Sequence, residues 1–198
     1  MSREKNQFLP NSAPAAGNIV TQKFGAFVLW LMGWKLVGEF PNEEKLILLG
    51  AHHTSMLDFF LAMATLLKTG VRFSWMMKQE MFFFPFKSLL LRMGGVPIDR
   101  GSSNGVTEQM SDWLEQTPKA WLGITPEGTR KKVNSFKKGY LRIAYASNTP
   151  VFIIGVNAKT KELVLDRVWP LTGDEEVDNK AIKDYYDRTY HGVREGNF

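Results

Sequence analysis

Residues 45–58 of the chain read KLILLGAHHTSMLD and change character halfway along. The first six residues form a mainly apolar run with the length of a buried strand, and a helix is expected from Ser55 onward. His53 would then lie in the turn between them, and Asp58 in the first helical turn. On one continuous helix the two side chains would point about 140° apart, whereas a loop before the helix allows them to meet.

Asp58 has two interpretations. Its carboxylate could accept a hydrogen bond from one nitrogen of His53, fix the tautomer and leave the other nitrogen free as a general base. It could equally stabilise the helix start, because Ser55 and Asp58 have the spacing of a capping box. The local sequence leaves both open. No metal site is predicted, because neighbouring side chains such as those of His52 and His53 diverge and no further histidine is close in the sequence.

Outward from this unit, strand and helix patterns alternate along the chain. Strands are predicted at 45–50, 71–77, 96–98, 120–125, 151–156 and 163–168, and helices at 55–68, 79–93 with an interruption at Pro85, 105–116, 137–147 and 177–191. The alternation predicts an α/β fold: a single domain with a mixed, mostly parallel sheet flanked by helices.

The chain is divided into three regions. The polar residues 1–18 predict a flexible lead-in, residues 19–44 a membrane-interface helical segment, and residues 45–198 the α/β domain.

The prediction of membrane contact rests on an uncharged run of eleven residues, FGAFVLWLMGW at 24–34. It is about half as long as a spanning helix, so we expect a helix lying in the interface with Trp30 and Trp34 at the head-group level. The alternative is an ordinary buried helix. A second apolar cluster, MFFFPF at 81–86, is compatible with core packing or with contact to lipid or an acyl chain.

Composition narrows the function further. The chain has 198 residues, a net charge of +5 and a pI near 9.4, which favour acidic partners. It has no cysteine, which excludes disulfides, thiolate zinc sites and a cysteine nucleophile. Nucleic acid is disfavoured, because the aromatic residues cluster in apolar runs and do not alternate with basic residues as stacking platforms would.

Two later turns each present an arginine just after a predicted strand. Residues 94–101 read GGVPIDRG and place Arg100 there, and residues 125–130 read TPEGTR and place Arg130 there. Arginine binds phosphate through two parallel hydrogen bonds, so two such residues at neighbouring strand ends predict a phosphate clamp.

Taken in order, these blocks resemble a known family. H-x-x-x-x-D at 53–58, G-x-P-I-D-R at 95–100, P-E-G-T-R at 126–130 and the proline-led strand at 150–156 are similar in order and spacing to the four blocks of the glycerolipid acyltransferases. The best-known members of that family are bacterial 1-acyl-sn-glycerol-3-phosphate acyltransferases. The resemblance covers residues 19–172. The chain departs from the usual pattern at His52, Met56 and Thr125.

The resemblance implies roles for individual residues. His53 would be the general base that takes the proton of the acceptor hydroxyl, and Asp58 would orient it. The acceptor's phosphate and pocket would be formed by Lys78, Arg100, Glu127, Gly128, Thr129 and Arg130.

The implied reaction is that of an O-acyltransferase. A fatty acyl group would move from an acyl thioester, of acyl-carrier protein (ACP) or of coenzyme A (CoA), to a lysophospholipid, giving phosphatidate if the acceptor is 1-acyl-sn-glycerol 3-phosphate. No cofactor is implied beyond that donor. We expect the enzyme at an anionic membrane surface, on the cytoplasmic face of a bacterial inner membrane. The alternatives are another lysolipid or glycerol 3-phosphate as acceptor and, from a different class, a non-catalytic lipid-binding protein.

Overall fold

The computed structural model describes residues 8–51, 56–102, 105–129 and 133–192, and the side chains of Met56 and Phe59 are not described. Its helices are α1 (Ile19–Leu31), α2 (Met56–Thr69), α3 (Lys87–Met93), α4 (Val106–Gln116), α5 (Gly139–Ala146) and α6 (Glu175–Thr189), with a 3-10 helix at Gln79–Met81. Its strands are β1 (Lys35–Gly38), β2 (Lys45–Ala51), β3 (Trp75–Lys78), β4 (Gly95–Ile98), β5 (Ala120–Ile124), β6 (Val151–Asn157) and β7 (Glu162–Val168).

Five strands form the main sheet in the order β1-β7-β6-β2-β5. The central strand β2 is parallel to both β5 and β6, and β7 is antiparallel to β6. Strands β3 and β4 form a separate parallel pair. Ser74 joins the pair to the main sheet: its N–H donates to the Trp121 carbonyl at 2.7 Å, and its carbonyl accepts from the Gly123 N–H at 2.8 Å. The predicted α/β fold with a mixed, mostly parallel sheet is confirmed.

Strand β2 is buried on both faces, which explains its nearly continuous apolar sequence. Leu46 and Leu48 belong to a core under α1 and α2, whereas Ile47 and Leu49 belong to a second core under α4, α5 and α6. The sheet therefore lies between two helical layers, and β2 ends near its middle.

Helix α1 begins at Ile19 because Asn18 caps it: the Asn18 side chain accepts hydrogen bonds from the N–H groups of Val20 and Thr21. The two tryptophans of this region differ. Trp30 is 73% exposed, as expected for the outer face, but Trp34 lies in the core. The prediction that Trp34 faces the head groups is therefore wrong, because α1 ends at Leu31 and the chain turns inward at Gly33, whose φ is +72°.

The first two predicted regions are integrated into the domain. In the predicted lead-in 1–18, the described part packs on the domain: Ala13 is buried, and the Ala16 N–H donates to the Gly70 carbonyl at 2.8 Å. In the predicted helical segment 19–44, β1 forms an edge strand of the main sheet by pairing with β7. The sequence signal fails here because β1 has only four residues and its partner lies more than 120 positions away.

Residues 79–93 form two short helices separated by a turn at Pro85. The interruption at Pro85 is confirmed, but it breaks the predicted helix more completely than expected, because neither half exceeds seven residues. Of the two alternatives for the phenylalanine cluster, core packing does not apply to three of its members. Phe83, Phe84 and Phe86 are each at least half exposed.

Candidate active site

The chemistry-bearing blocks converge on one edge of the sheet. Strands β2, β5 and β6 are mutually parallel, and Ser74 continues the same direction into β3 and β4. The residue blocks that follow β2, β5, β3 and β4 therefore all lie at the carboxyl edge. Ligands of open parallel sheets bind outside this edge.

Asp58 lies in the first turn of α2 and is only 6% exposed. Its carboxylate is therefore held at the positive end of the helix, next to the turn that follows β2. His53 lies between Ala51 and Met56 in the chain and is outside the described residues. The contact between His53 and Asp58 stays a prediction. The structure places Asp58 in a buried position at the carboxyl edge.

The block after β5 forms a tight turn. Glu127 is 4% exposed, and Gly128 has a φ of +61°, a conformation that favours glycine. A Cβ added to Gly128 would lie 2.7 Å from the Lys137 Nζ, so the Lys137 ammonium group packs directly on this turn. Thr129 is exposed, and Arg130 lies outside the described residues.

Lys137 is a candidate that the sequence analysis missed. It is one of six basic residues between Gly128 and Ile143, and nothing in that run distinguishes it from a solvated surface lysine. The signal appears only in three dimensions, where the Lys137 N–H also donates to the Pro126 carbonyl at 2.8 Å. It adds a positive charge to the turn predicted to shape the acceptor pocket.

Lys78 and Arg100 lie at the ends of the β3–β4 pair, and both side chains are exposed. Lys78 is the last residue of β3. Arg100 follows a turn fixed by Gln109 of α4, whose side chain accepts from the Asp99 N–H at 2.9 Å and donates to the Asp99 carbonyl at 2.7 Å. Gln109 therefore holds the backbone next to Arg100, a positioning role that the sequence did not reveal.

The strand order separates the two parts of the site. Neighbouring strands are about 4.8 Å apart, so β5 lies about 5 Å, β3 about 10 Å and β4 about 14 Å from β2. The Glu127 turn thus follows the strand adjacent to β2, whereas Arg100 follows β4, two strands further along.

An apolar groove lies at the other side of the β2 end. It has a volume of about 370 Å³. It is lined by Met32, Trp34, Leu57, Ala158 and Lys161. Leu57 directly precedes Asp58, so one lining residue of the groove lies in the same helical turn as Asp58. The edge therefore has a cationic side, toward β4, and an apolar side, toward the turn after β6.

Tyr186 supports the base of this edge. It is fully buried on α6, and its hydroxyl donates to the Leu49 carbonyl of β2 and, at 3.1 Å, to the Ile154 carbonyl of β6. Burial raises the pKa of the Tyr186 hydroxyl well above its usual value, which keeps it a donor. The sequence predicted the amphipathic helix around Tyr186 but gave no sign of this contact with the central strand.

The described residues contain no group of three or more His, Asp or Glu side chains placed to hold a metal ion. In the same part of the chain, every helix is too short or too polar to cross a lipid bilayer.

The fold and this edge define an α/β enzyme with a buried carboxylate between a cationic and an apolar surface. The acyltransferase family model matches residues 36–157, more than half of the chain, which therefore belongs to the acyltransferase family. The predictions of the family and of the enzyme class are thereby confirmed.

One solved structure is similar over most of its length. It is the crystal structure of PlsC, the 1-acyl-sn-glycerophosphate (LPA) acyltransferase from Thermotoga maritima, with a TM-score of 0.59 and 20% sequence identity. The alignment covers 85% of this chain and 76% of that chain. At this identity the likeness establishes the shared fold. Comparison with curated proteins gives no significant match.

Proposed function

We propose that this acyltransferase moves a fatty acyl group from an acyl thioester, of ACP or of CoA, to the hydroxyl of a lysophospholipid. The acceptor we favour is 1-acyl-sn-glycerol 3-phosphate, the substrate named for the Thermotoga enzyme that shares the fold. The observation that carries the proposal is the burial of Asp58 at the start of α2, beside the turn that contains His53 and at the same edge as Arg100.

In the proposed mechanism, His53 removes the proton of the acceptor hydroxyl as its oxygen attacks the thioester carbonyl. Asp58 accepts a hydrogen bond from the other imidazole nitrogen and stabilises the imidazolium that forms. The new C–O bond replaces the C–S bond. The departing thiolate takes the proton back from His53, so no acyl-enzyme and no cofactor are needed.

The phosphate of the acceptor would be held by Arg100, Lys78 and Arg130. Because Lys78 and Arg100 follow β3 and β4, the phosphate would bind on the cationic side of the edge. The apolar groove beside Leu57 would then hold an acyl chain on the opposite side. The reacting hydroxyl and carbonyl would meet between them, next to Asp58.

We also propose that the enzyme works at an anionic membrane surface, on the cytoplasmic face of the membrane. The outer face of α1 supports this: its exposed side chains are apolar except for Lys23. The exposed apolar residues are Ile19, Val20, Phe24, Phe27, Trp30 and Leu31. A helix that is apolar on both its inner and outer faces leaves its outer face to contact lipid.

The test is acyl transfer by the purified protein in mixed micelles. The wild type is offered acyl-ACP or acyl-CoA with 1-acyl-sn-glycerol 3-phosphate, glycerol 3-phosphate or a phosphate-free monoacylglycerol. We expect phosphatidate as the main product. His53→Ala should lower the rate by about 10²–10⁴-fold, the usual contribution of a general base.

His191→Ala is the matched control. The His191 ring lies 3.3 Å from the Lys159 Nζ in an exposed pair, and its removal should leave the rate unchanged. Full activity of His53→Ala would overturn the mechanism. Equal use of the phosphate-free acceptor would overturn the phosphate-binding roles of Arg100 and Lys78.

A further inference from the structure

A second apolar surface follows β3 directly. Within residues 81–93, seven apolar side chains are at least two-fifths exposed: Met81, Phe83, Phe84, Phe86, Leu89, Leu91 and Met93. Phe84, at the tip of the turn, is 93% exposed. Isolated exposed apolar residues are ordinary, but a contiguous set of this size marks an interaction surface.

The exposure is built into the local structure. Phe82 turns inward and packs against Gly95 of β4, where an added Cβ would lie 3.1 Å from the Phe82 ring. The rings of Phe83 and Phe86 contact each other edge to face, with centroids 5.4 Å apart. Phe82 therefore anchors the turn to the sheet, while Phe83 and Phe86 contact each other on the outside and Phe84 is exposed at the tip.

The end of this segment lies near the start of α1. A groove of about 210 Å³ separates them, lined on one side by Thr21 and on the other by Arg92 and Met93. Leu66 and Leu67 of α2 form its floor. The start of α1 and the end of α3 therefore border the same groove.

The charges around the groove are positive. Residues 81–93 contain Lys87 and Arg92 and no acidic residue, and Arg72 also lines the groove. Lys23 lies on the exposed face of α1. Aromatic and aliphatic side chains surrounded by cations match the apolar interior and anionic surface of a lipid layer. A second copy of the chain would place like charges against each other.

We propose that residues 81–93 insert into an anionic lipid surface, as a second contact beside α1. Lys78, the last residue of β3, lies three positions before the segment, so the segment leaves the sheet at the carboxyl edge, close in the chain to a cation proposed to hold phosphate. The insertion would bring the cationic side of the site against the membrane. A lysophospholipid could then move from the membrane to the site without crossing water, a step that rests on the proposed function.

The experiment compares Phe83→Ser/Phe84→Ser with the wild type in co-sedimentation with vesicles of phosphatidylcholine and phosphatidylglycerol. Both side chains are exposed, so the variant should fold normally. We expect vesicle binding to weaken by about tenfold, since two aromatic side chains no longer leave water. Val177→Ser is the matched control: Val177 is a similarly exposed apolar residue on α6, and vesicle binding should not change.

Activity separates this inference from the proposed function. On vesicle-embedded lysophosphatidate the variant should lose activity in proportion to binding, and on a short-chain monomeric lysophosphatidate it should match the wild type. A wild-type protein that is inactive on both substrates would overturn the proposed function. The comparison of vesicle binding would still test whether residues 81–93 insert into lipid.

Three results would overturn the insertion itself. The first is a variant that binds vesicles as the wild type does. The second is a wild-type dimer, seen by light scattering, that the variant converts to monomer. The third is a variant that keeps vesicle binding but loses binding to an acidic acyl-carrier protein.

Discussion

Asp58 lies where its two interpretations are compatible. A carboxylate in the first turn of α2 interacts favourably with the helix dipole, and the same position lies at the carboxyl edge, five residues after His53 in the chain. The dipole contribution is about 0.3–1 kcal/mol at an exposed site. It stabilises the helix but does not explain why an acidic group is buried at this edge, where an uncharged cap such as asparagine serves equally well.

Asp58→Asn separates the two roles. At the third position of α2 asparagine keeps an acceptor oxygen and loses only the interaction of the charge with the helix dipole, so the free energy of unfolding should change by no more than about 1 kcal/mol. Transfer activity should nevertheless fall by about 10²–10⁴-fold, because the amide cannot stabilise an imidazolium. Urea denaturation and rates at saturating substrates measure the two effects. A stable variant with unchanged activity would leave Asp58 as a structural cap.

Among the elements, the crossing of α1 over α2 depends on a glycine. A Cβ on Gly25 would lie 2.4 Å from the backbone nitrogen of Lys68 and 2.6 Å from the Ala64 carbonyl oxygen. Glycine inside a helix is unfavourable by about 1 kcal/mol relative to alanine. The close approach of the two backbones outweighs this propensity, since backbone atoms cannot move aside as a flexible side chain can.

Gly25→Ala is therefore expected to destabilise the protein by about 1–3 kcal/mol despite its better helix propensity. Gly139→Ala is the matched control, because Gly139 is also helical but has open space around its Cβ position. That change should be neutral or slightly stabilising. Chemical denaturation of both variants measures the difference. A stabilised Gly25→Ala protein would show that the helices do not pack this closely.

Asp166 connects β7 to the end of α6. It accepts hydrogen bonds from Tyr185 at 2.6 Å and Tyr190 at 2.7 Å, and it pairs with Arg167. Burial pushes the pKa of Asp166 upward, but these hydrogen bonds and the Arg167 charge outweigh it, so the pKa lies below its usual value. A lowered carboxyl pKa stabilises the fold above the unfolded-state pKa, and the stabilisation is lost as the pH falls through the folded-state pKa.

Asp166→Asn should lower the free energy of unfolding at neutral pH by about 1–2 kcal/mol, with solvent screening included. Below the usual carboxyl pKa of about 3.9, the difference from the wild type should shrink, because the wild-type carboxylate is then becoming protonated. Urea denaturation at a series of pH values, from below about 3.9 up to neutral, measures the difference. A constant difference at every pH would contradict the role of the charge.

At the scale of the whole molecule, the sequence predicts those features that are determined by short-range residue patterns. The unit of β2 and α2 is evident because a central parallel strand is apolar on both faces and a helix follows it. The short edge strand β1 is not evident, since four residues carry no pattern and its pairing with β7 is set by the tertiary structure. The prediction for Trp34 was wrong for a related reason. The chain turns at Gly33, so the Trp34 side chain faces the core and not the outer surface.

The site follows the same division. Asp58 and Arg100 were predicted from their local motifs and Lys78 from the family resemblance, and the parallel strands bring their blocks to one edge. Gln109 and Tyr186 could not be predicted, because each acts on a backbone group distant in the sequence. The chemistry is encoded in local motifs, whereas the side chains that hold those motifs in place are recruited by the fold.

The net charge of +5 and the two apolar surfaces predict different effects of salt concentration on membrane binding. Electrostatic attraction to an anionic membrane is screened, since the Debye length falls from about 10 Å at 0.1 M to about 3 Å at 1 M salt. Apolar insertion of the side chains on α1 and residues 81–93 is not weakened by salt. Binding to phosphatidylglycerol-containing vesicles should therefore fall by about tenfold or more over that range and then level off, because each basic residue near the surface contributes about 1 kcal/mol.

Vesicles of phosphatidylcholine alone separate the two contributions. Binding to them should be weaker than to anionic vesicles at low salt, should match the residual binding at high salt and should not depend on salt. Co-sedimentation over a salt series measures all three. A fall to zero on anionic vesicles would mean that the exposed aromatic side chains add nothing, and the protein would then be held by charge alone, with its catalytic edge free to face away from the lipid.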